Sequence, residues 1–322
     1  MFLQILILLA GLLLILFGAN YLVDGSSSIA KKFGLSEFII GLTIVGIGTS
    51  SPEMVVSFMS SFQGKADMAI GNIVGSNIFN TLMILGITAL ISPLAITKSN
   101  LRQDIPLNVL VTALLILLGM NATIFGFGAN QISRLDGALL LGIFAWYLWF
   151  SFKSDSGSEE EKEDEESKTK EYSVLMSVIM IIGGLAGLII GGKLFVDSAT
   201  ELAKMFGVSD KFIAITVMAA GTSMPELATC VVAALKGRGQ LALGNVLGSN
   251  ISNILLILGG AALINPLSCS GMTMVDLGLI LVCAIFIFAS AFMFKRRELD
   301  RYEGVILILM EIGYMWYLIA NL

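Results

Sequence analysis

The chain has 322 residues, of which 56% are apolar and only 13% charged, and it contains no histidine. Soluble domains run nearer a quarter charged, so this composition and a mean hydropathy of +0.90 describe a polytopic membrane protein. Without histidine there is no Ser-His-Asp triad and no histidine-based zinc, haem or di-iron site.

A helix needs about 20 apolar residues to cross a bilayer core. In chain order, apolar runs fall near residues 2–23, 38–62, 68–91, 105–127 and 135–152, then 174–196, 212–235, 241–264, 274–294 and 304–322. These are ten predicted spans. The first is not expected to be a signal peptide, because it lacks a basic start and a small-residue cleavage site. Cys230, Cys269 and Cys283 lie in apolar runs without C-x-x-C spacing, and read as small hydrophobes rather than disulfides or ligands.

Between the fifth and sixth spans the composition changes abruptly. From Lys153 to Glu171 there are nine acids and four lysines, an excess of five that equals the whole net charge of −5. This Ser/Glu/Lys stretch has too few apolar residues to bury a core and is expected to be a solvated linker over 153–172. It has no glycine-punctuated calcium loop of the EF-hand type. It divides the chain into a first transmembrane repeat, 1–152, and a second, 173–322. With the N-terminus outside, 14 of the 19 Lys and Arg residues fall in inner loops and 5 in outer loops or span ends. The positive-inside rule then puts both termini outside the cell membrane and the acidic linker in the cytoplasm.

The two halves are copies. Shifted by 173 positions, residues 18–93 overlay 191–266 without a gap, and 32 of the 76 positions are identical. Four of the five prolines pair, Pro52 with Pro225 and Pro93 with Pro266. Five spans per copy is an odd number, so the second copy must enter the membrane from the opposite side. The predicted fold is all-α, ten transmembrane helices as two inverted five-helix repeats, an architecture that places substrate at the repeat interface on interrupted helices.

The polar residues within the spans repeat too. The second span carries Gly46-Ile47-Gly48-Thr49-Ser50-Ser51-Pro52-Glu53, and the seventh Ala219-Ala220-Gly221-Thr222-Ser223-Met224-Pro225-Glu226. Glycine and proline weaken the helix there and free backbone carbonyls to face a cavity. Each motif ends in a carboxylate inside an apolar run with no basic partner in its span, and such a group is functional by default. The third span carries Asn72, Ser76 and Asn80 at i, i+4 and i+8, one helix face, and the eighth carries Asn245, Ser249 and Asn253 likewise. Ser76, Asn80, Ser249 and Asn253 are the better-placed candidate ligands. Asn72, Asn77, Asn245 and Asn250 divide evenly between ligation and helix packing, and the glycines four apart allow close helix approach. Carboxylates, amide oxygens, hydroxyls and carbonyls are hard donors, suited to calcium, sodium or magnesium. Magnesium dehydrates reluctantly, so an all-protein cage favours calcium.

These paired motifs resemble the α-repeats of the cation/calcium exchanger superfamily, most nearly its prokaryotic sodium/calcium exchanger branch, and the resemblance runs over all ten spans. It implies a central ion cluster between the four motif-bearing helices, with Glu53 and Glu226 as carboxylates shared by calcium and sodium. Thr49, Ser50, Thr222 and Ser223 would add hydroxyl or carbonyl oxygens, as would the backbone at Gly46 and Ala219. Ser76, Asn80, Ser249 and Asn253 would complete the sites. It further implies alternating access by sliding of the first and sixth spans, with Asp24 and Asp197 as interfacial caps. Asn253 stands where potassium-dependent relatives carry Asp, which argues against potassium cotransport. Gly75 and Gly248 stand where the proton/calcium branch carries an acid, which favours sodium as the coupling ion.

The expected function is therefore sodium/calcium antiport that exports calcium. The alternatives are a proton-coupled calcium antiporter and a cation channel gated by the linker; an intramembrane enzyme lacks a nucleophile–base pair. No cofactor, nucleic acid or obligatory protein partner is expected; the partners are calcium, sodium and the lipid bilayer. Deleting residues 154–169 should leave basal calcium uptake into reconstituted vesicles intact, and loss of that uptake would contradict the linker reading.

Overall fold

The computed structural model describes residues 1–126, 129–155, 171–207, 219–269, 272–292 and 297–320. These are almost wholly helical. In chain order the helices are α1 (Phe2–Phe33), α2 (Glu37–Thr49), α3 (Ser51–Phe62), α4 (Ala66–Ile91), α5 (Asn100–Gly119) and α6 (Arg134–Asp155). There follow α7 (Val174–Met205), α8 (Ala219–Thr222), α9 (Met224–Leu235), α10 (Gly239–Ile264), α11 (Met274–Ser290) and α12 (Arg301–Ala320). Seven of these are long and apolar enough to cross a membrane: α1, α4, α5, α6, α7, α10 and α12. The bent pair α2 and α3, at 47°, makes an eighth, while α9 and α11 are shorter apolar helices. Most of the linker and the first part of the predicted seventh span, up to residue 218, lie outside the described residues.

Two helices exceed their predicted spans. The apolar run of α1 ends at Val23, but the helix continues to Phe33, where Gly34 takes a left-handed φ of 63° and its N–H caps Ala30 and Lys31. The reason is that its polar continuation is buried in protein. Ser26, Ser27 and Ser28 are enclosed, Ser28 Oγ accepts from Tyr172 N at 3.0 Å, and Ser177 Oγ donates to Ser28 Oγ at 3.0 Å. The ends of the acidic segment that are described also touch α1. Glu171 accepts from Lys31 Nζ at 2.8 Å, and that hydrogen bond and charge hold its carboxyl below the usual range.

Helices α1 and α7 cross through glycines. A Cβ on Gly18 would stand 2.8 Å from Gly184 O, and one on Gly184 would stand 2.7 Å from Gly18 O. Farther along, Gly11 meets Gly191. Positions rise along one helix as they fall along the other, so the two run antiparallel with their backbones in contact. Their outward faces, including Leu6, Leu13 and Phe17 on α1 and Ile179, Ile182 and Ile190 on α7, are exposed apolar surface. Such a continuous apolar exterior belongs in lipid.

Inside this pair, α4 and α10 are the most enclosed helices. The backbone of α2 lies directly on α10, where a Cβ on Gly244 would collide with Phe38 O and one on Gly248 with Leu42 O. Two short antiparallel ladders tie the halves together. β1 (Leu94–Ala95) pairs with β4 (Glu298–Leu299), Leu94 opposite Leu299. β2 (Gln131–Ile132) pairs with β3 (Leu267–Ser268), Ile132 opposite Leu267. Each ladder takes one strand from each half.

Gly18→Val should strain the α1–α7 crossing by roughly 1–3 kcal/mol, the usual cost of overpacking, seen as a lowered unfolding temperature in detergent. Gly183→Val is the control, because its Cβ meets nothing within 4 Å; an equal loss in both would contradict the crossing.

Candidate functional site

The second predicted span is broken where its motif says it should be. Ser50 leaves helical geometry at φ −77°, ψ 10°, and α3 restarts with Pro52 in its first turn. Ser223 does the same at φ −88°, ψ 8°, with Pro225 in the first turn of α9. Proline is harmless there, since a first-turn N–H has no helical partner to lose. The restart puts Glu53 and Glu226 in the first turns of α3 and α9, where the positive end of the helix dipole favours a carboxylate. Both side chains are buried, and among the described residues neither has a basic partner.

The two motifs meet across the centre. Ser50 Oγ donates to Glu226 Oε1 at 2.9 Å, and Ser223 Oγ donates to Glu53 Oε1 at 3.2 Å. Ser76 Oγ also donates to Glu53 Oε1, at 3.4 Å. Thr49 and Ser249 lie beside Glu226, as Thr222 lies beside Glu53. Each carboxylate is thus met by the Thr-Ser pair of the other half, a pattern that maps onto itself under the 173-residue shift.

Helices α4 and α10 wall the cluster. Each contains a π-turn, beginning at Asn80 in α4 and at Asn253 in α10. Such single-turn insertions are rare and concentrate at functional sites. The amides there interlock across the halves. Asn80 Nδ2 donates to Asn250 Oδ1 at 3.2 Å, and Asn253 Nδ2 donates to Asn77 Oδ1 at 2.8 Å. The remaining asparagines brace the helices. Asn72 Nδ2 donates to Ser57 Oγ at 3.2 Å and to Glu53 O at 3.4 Å. Its counterpart Asn245 donates to Cys230 Sγ at 3.1 Å and accepts from Thr49 Oγ1 at 3.2 Å. Cys230 is free and buried, as are Cys269 and Cys283.

Oxygens are left over. Glu53 Oε2, Glu226 Oε2, Asn80 Oδ1, Asn253 Oδ1 and Thr222 Oγ1 are buried without a hydrogen-bond partner. An unsatisfied buried acceptor costs about 1–3 kcal/mol, more when charged, so the five oxygens on the paired motifs carry a cost that their described neighbours do not offset. Of the other sequence candidates, Thr49 Oγ1 donates to Val45 O at 3.0 Å and Ser249 Oγ donates to Gly46 O at 3.2 Å. Gly46 O also accepts from Ser50 N, so that carbonyl is engaged where the motif suggested a released one. Ala219 opens α8, and its backbone is described while its side chain is not.

Charged contacts outside the cluster escaped the sequence reading. Asp24, expected as a cap, pairs with Lys236 Nζ at 2.6 Å, tying α1 to the loop after α9. Glu37 and Arg238 form a buried ion pair at 2.9 Å between the start of α2 and the start of α10. Glu311 is another buried carboxylate, on α12 beside Cys283 and Tyr314. Glu311 lies in the tenth apolar run with no basic residue in that run, and this was the signal that could have marked it.

Comparison with known proteins agrees with this architecture. The family profile described as sodium/calcium exchanger protein matches residues 3–153 and 176–320. The inner membrane protein YrbG of Escherichia coli is 37% identical over 268 residues, covering 81% of this chain and 79% of that protein. The sodium/calcium exchanger MaX1 of Methanosarcina acetivorans is 34% identical over 340 residues, covering 96% and 97%. A solved structure of the sodium-calcium exchanger NCX_Mj, soaked with zero Na+ and Ca2+, superposes with a TM-score of 0.84 at 32% identity, covering 98% of this chain and 99% of that one.

A cation that completes the cluster should raise the unfolding temperature of the purified protein, by mass action on the folded state. Calcium titration is expected to stabilise the wild type, and Glu53→Gln and Glu226→Gln are each expected to remove most of that shift. A wild-type shift in both variants would place the cation elsewhere.

Proposed function

The chain belongs to the sodium/calcium exchanger protein family, and from that premise we propose that it is a secondary active antiporter that exchanges sodium for calcium by alternating access and exports calcium from the cytoplasm. The observation that carries this reading is the set of unsatisfied buried oxygens around Glu53 and Glu226. Their donors are all hard, and calcium takes six to eight such oxygens while tolerating irregular geometry. The five open oxygens are supplemented by the hydroxyls of Thr49, Ser50, Ser76, Ser223 and Ser249 and by the carbonyl of Ala219.

Charge explains why the ions exchange rather than accumulate. Two carboxylates without basic partners carry a formal charge of −2, matched by one calcium ion or by two sodium ions. Either load neutralises the cluster; both together would leave excess positive charge among apolar helices, which is costly. Competition for one pair of carboxylates therefore couples the two fluxes.

The membrane arrangement is read as ten crossings in two inverted repeats. The antiparallel α1–α7 pair supports it, because these helices are repeat equivalents. The ladders support it too. Ten crossings put the loops bearing β1 and β4 on one side and those bearing β2 and β3 on the other, and each ladder joins loops of the same side. The distribution of Lys and Arg then places both termini outside and residues 153–172 in the cytoplasm. The smooth glycine contact between α1 and α7 suits them to move as a unit against the four motif-bearing helices. The Asp24–Lys236 pair is a contact that such sliding breaks.

Vesicles reconstituted with the protein, loaded with sodium and clamped in pH on both sides, should take up calcium at a rate that rises with the outward sodium gradient. Uptake that ignores sodium and follows a proton gradient would overturn sodium coupling, and flux without any counter-ion would indicate a channel. Glu53→Gln and Glu226→Gln should each nearly abolish uptake.

A further inference from the structure

An asparagine side chain is nearly symmetrical in shape but not in charge. One end of its amide accepts, the other donates, and a half-turn exchanges them. An asparagine that faces a cation must present its oxygen, because the amide nitrogen would offer the ion partial positive charge. Nothing in the shape of a cavity enforces that choice; only the hydrogen bonds made by the other end of the amide do.

In this structure those bonds are supplied by two asparagines that do not themselves leave oxygens open. Asn77 Oδ1 accepts from Asn253 Nδ2 at 2.8 Å, and Asn250 Oδ1 accepts from Asn80 Nδ2 at 3.2 Å. Both acceptors are in turn fixed by their own nitrogens. Asn77 Nδ2 donates to Asn250 O at 3.0 Å, and Asn250 Nδ2 donates to Thr81 Oγ1 at 3.0 Å. Of these four side chains, Asn80 and Asn253 are the two whose amide oxygens are left unpartnered. All four side chains are buried.

We propose that Asn77 and Asn250 are positioning residues which fix the Asn253 and Asn80 amides with their oxygens toward the cation and so set calcium affinity without touching the ion. The inference rests on the reading of the Glu53–Glu226 cluster as the cation site. Each clamp reaches across the halves, from α4 to α10 and back, and the two are equivalent under the 173-residue shift. A flipped amide would lose its clamp bond, face oxygen against oxygen at the clamp, and turn its nitrogen to the ion.

Asn77→Leu removes an acceptor at similar size. It is expected to raise the KM for calcium in sodium-driven uptake about tenfold, the worth of one such buried bond, with kcat little changed. Asn253→Asp in the Asn77→Leu background should bring the KM back toward wild type, because a carboxylate presents an oxygen to the ion whichever way it turns. The same substitution in the wild-type background should bring no gain, because it sets a carboxylate oxygen against Asn77 Oδ1. Asn250→Leu with Asn80→Asp tests the mirror clamp and stands in if Asn77→Leu fails to fold. An unchanged KM in the single variants, or a raised KM that the added carboxylate does not restore, overturns the proposal. Wild-type uptake in Glu53→Gln and Glu226→Gln would overturn the site reading itself, so the two failures are distinguishable.

Discussion

Two carboxylates held in an apolar helix bundle with no basic partner among the described residues are the constraint on which the rest of the structure depends. Burying such a group costs several kcal/mol unless something compensates. The protein compensates in part with serine hydroxyls, each carboxylate receiving a bond from the opposite half, and in part with the dipoles of two helices that restart just before the acids. It leaves the second oxygen of each open. The broken helices, the paired motifs and the enclosure of α4 and α10 all follow from keeping those oxygens both dry and unsatisfied.

The surrounding helices are built differently from the centre. Helices α1 and α7 meet through glycine backbones, and their outward faces are plain hydrocarbon. A contact of this kind gains dispersion energy from close approach while offering few side-chain knobs to disengage. The specific polar ties on α1 gather at one end, at Asp24, Ser28 and Lys31.

Much of this is legible in the sequence because it is written twice. The 173-residue repeat marks Glu53 and Glu226 as more than stray acids, and the Gly-Thr-Ser-x-Pro motif marks the stretch within which the helices break, at Ser50 and Ser223. What could not be read falls into two kinds. Where several identical residues crowd one motif, sequence does not divide the labour: Asn77 and Asn80 differ only in which end of which amide the other half grips. And backbone events without a composition signature stay hidden, as with the π-turns at Asn80 and Asn253. The continuation of α1 past Val23 was missed for a related reason. A Asp-Gly-Ser-Ser-Ser stretch reads as a helix end in water, but here its hydroxyls are enclosed by protein. The Gly46 carbonyl was expected to be released and is instead held by Ser249, because α2 lies close enough to α10 for that hydroxyl to reach it.

The two ladders and the two amide clamps share one property. Each takes one partner from each half, and each has a twin in which the roles of the halves are exchanged. Contacts of that kind are those of an isologous dimer, the same patch meeting itself about a two-fold axis. Neither half owns a complete carboxylate shell, a complete strand pair or a complete amide clamp. A free-standing single copy would leave its carboxylate, its strand and its amides each short of the partner that the other half supplies.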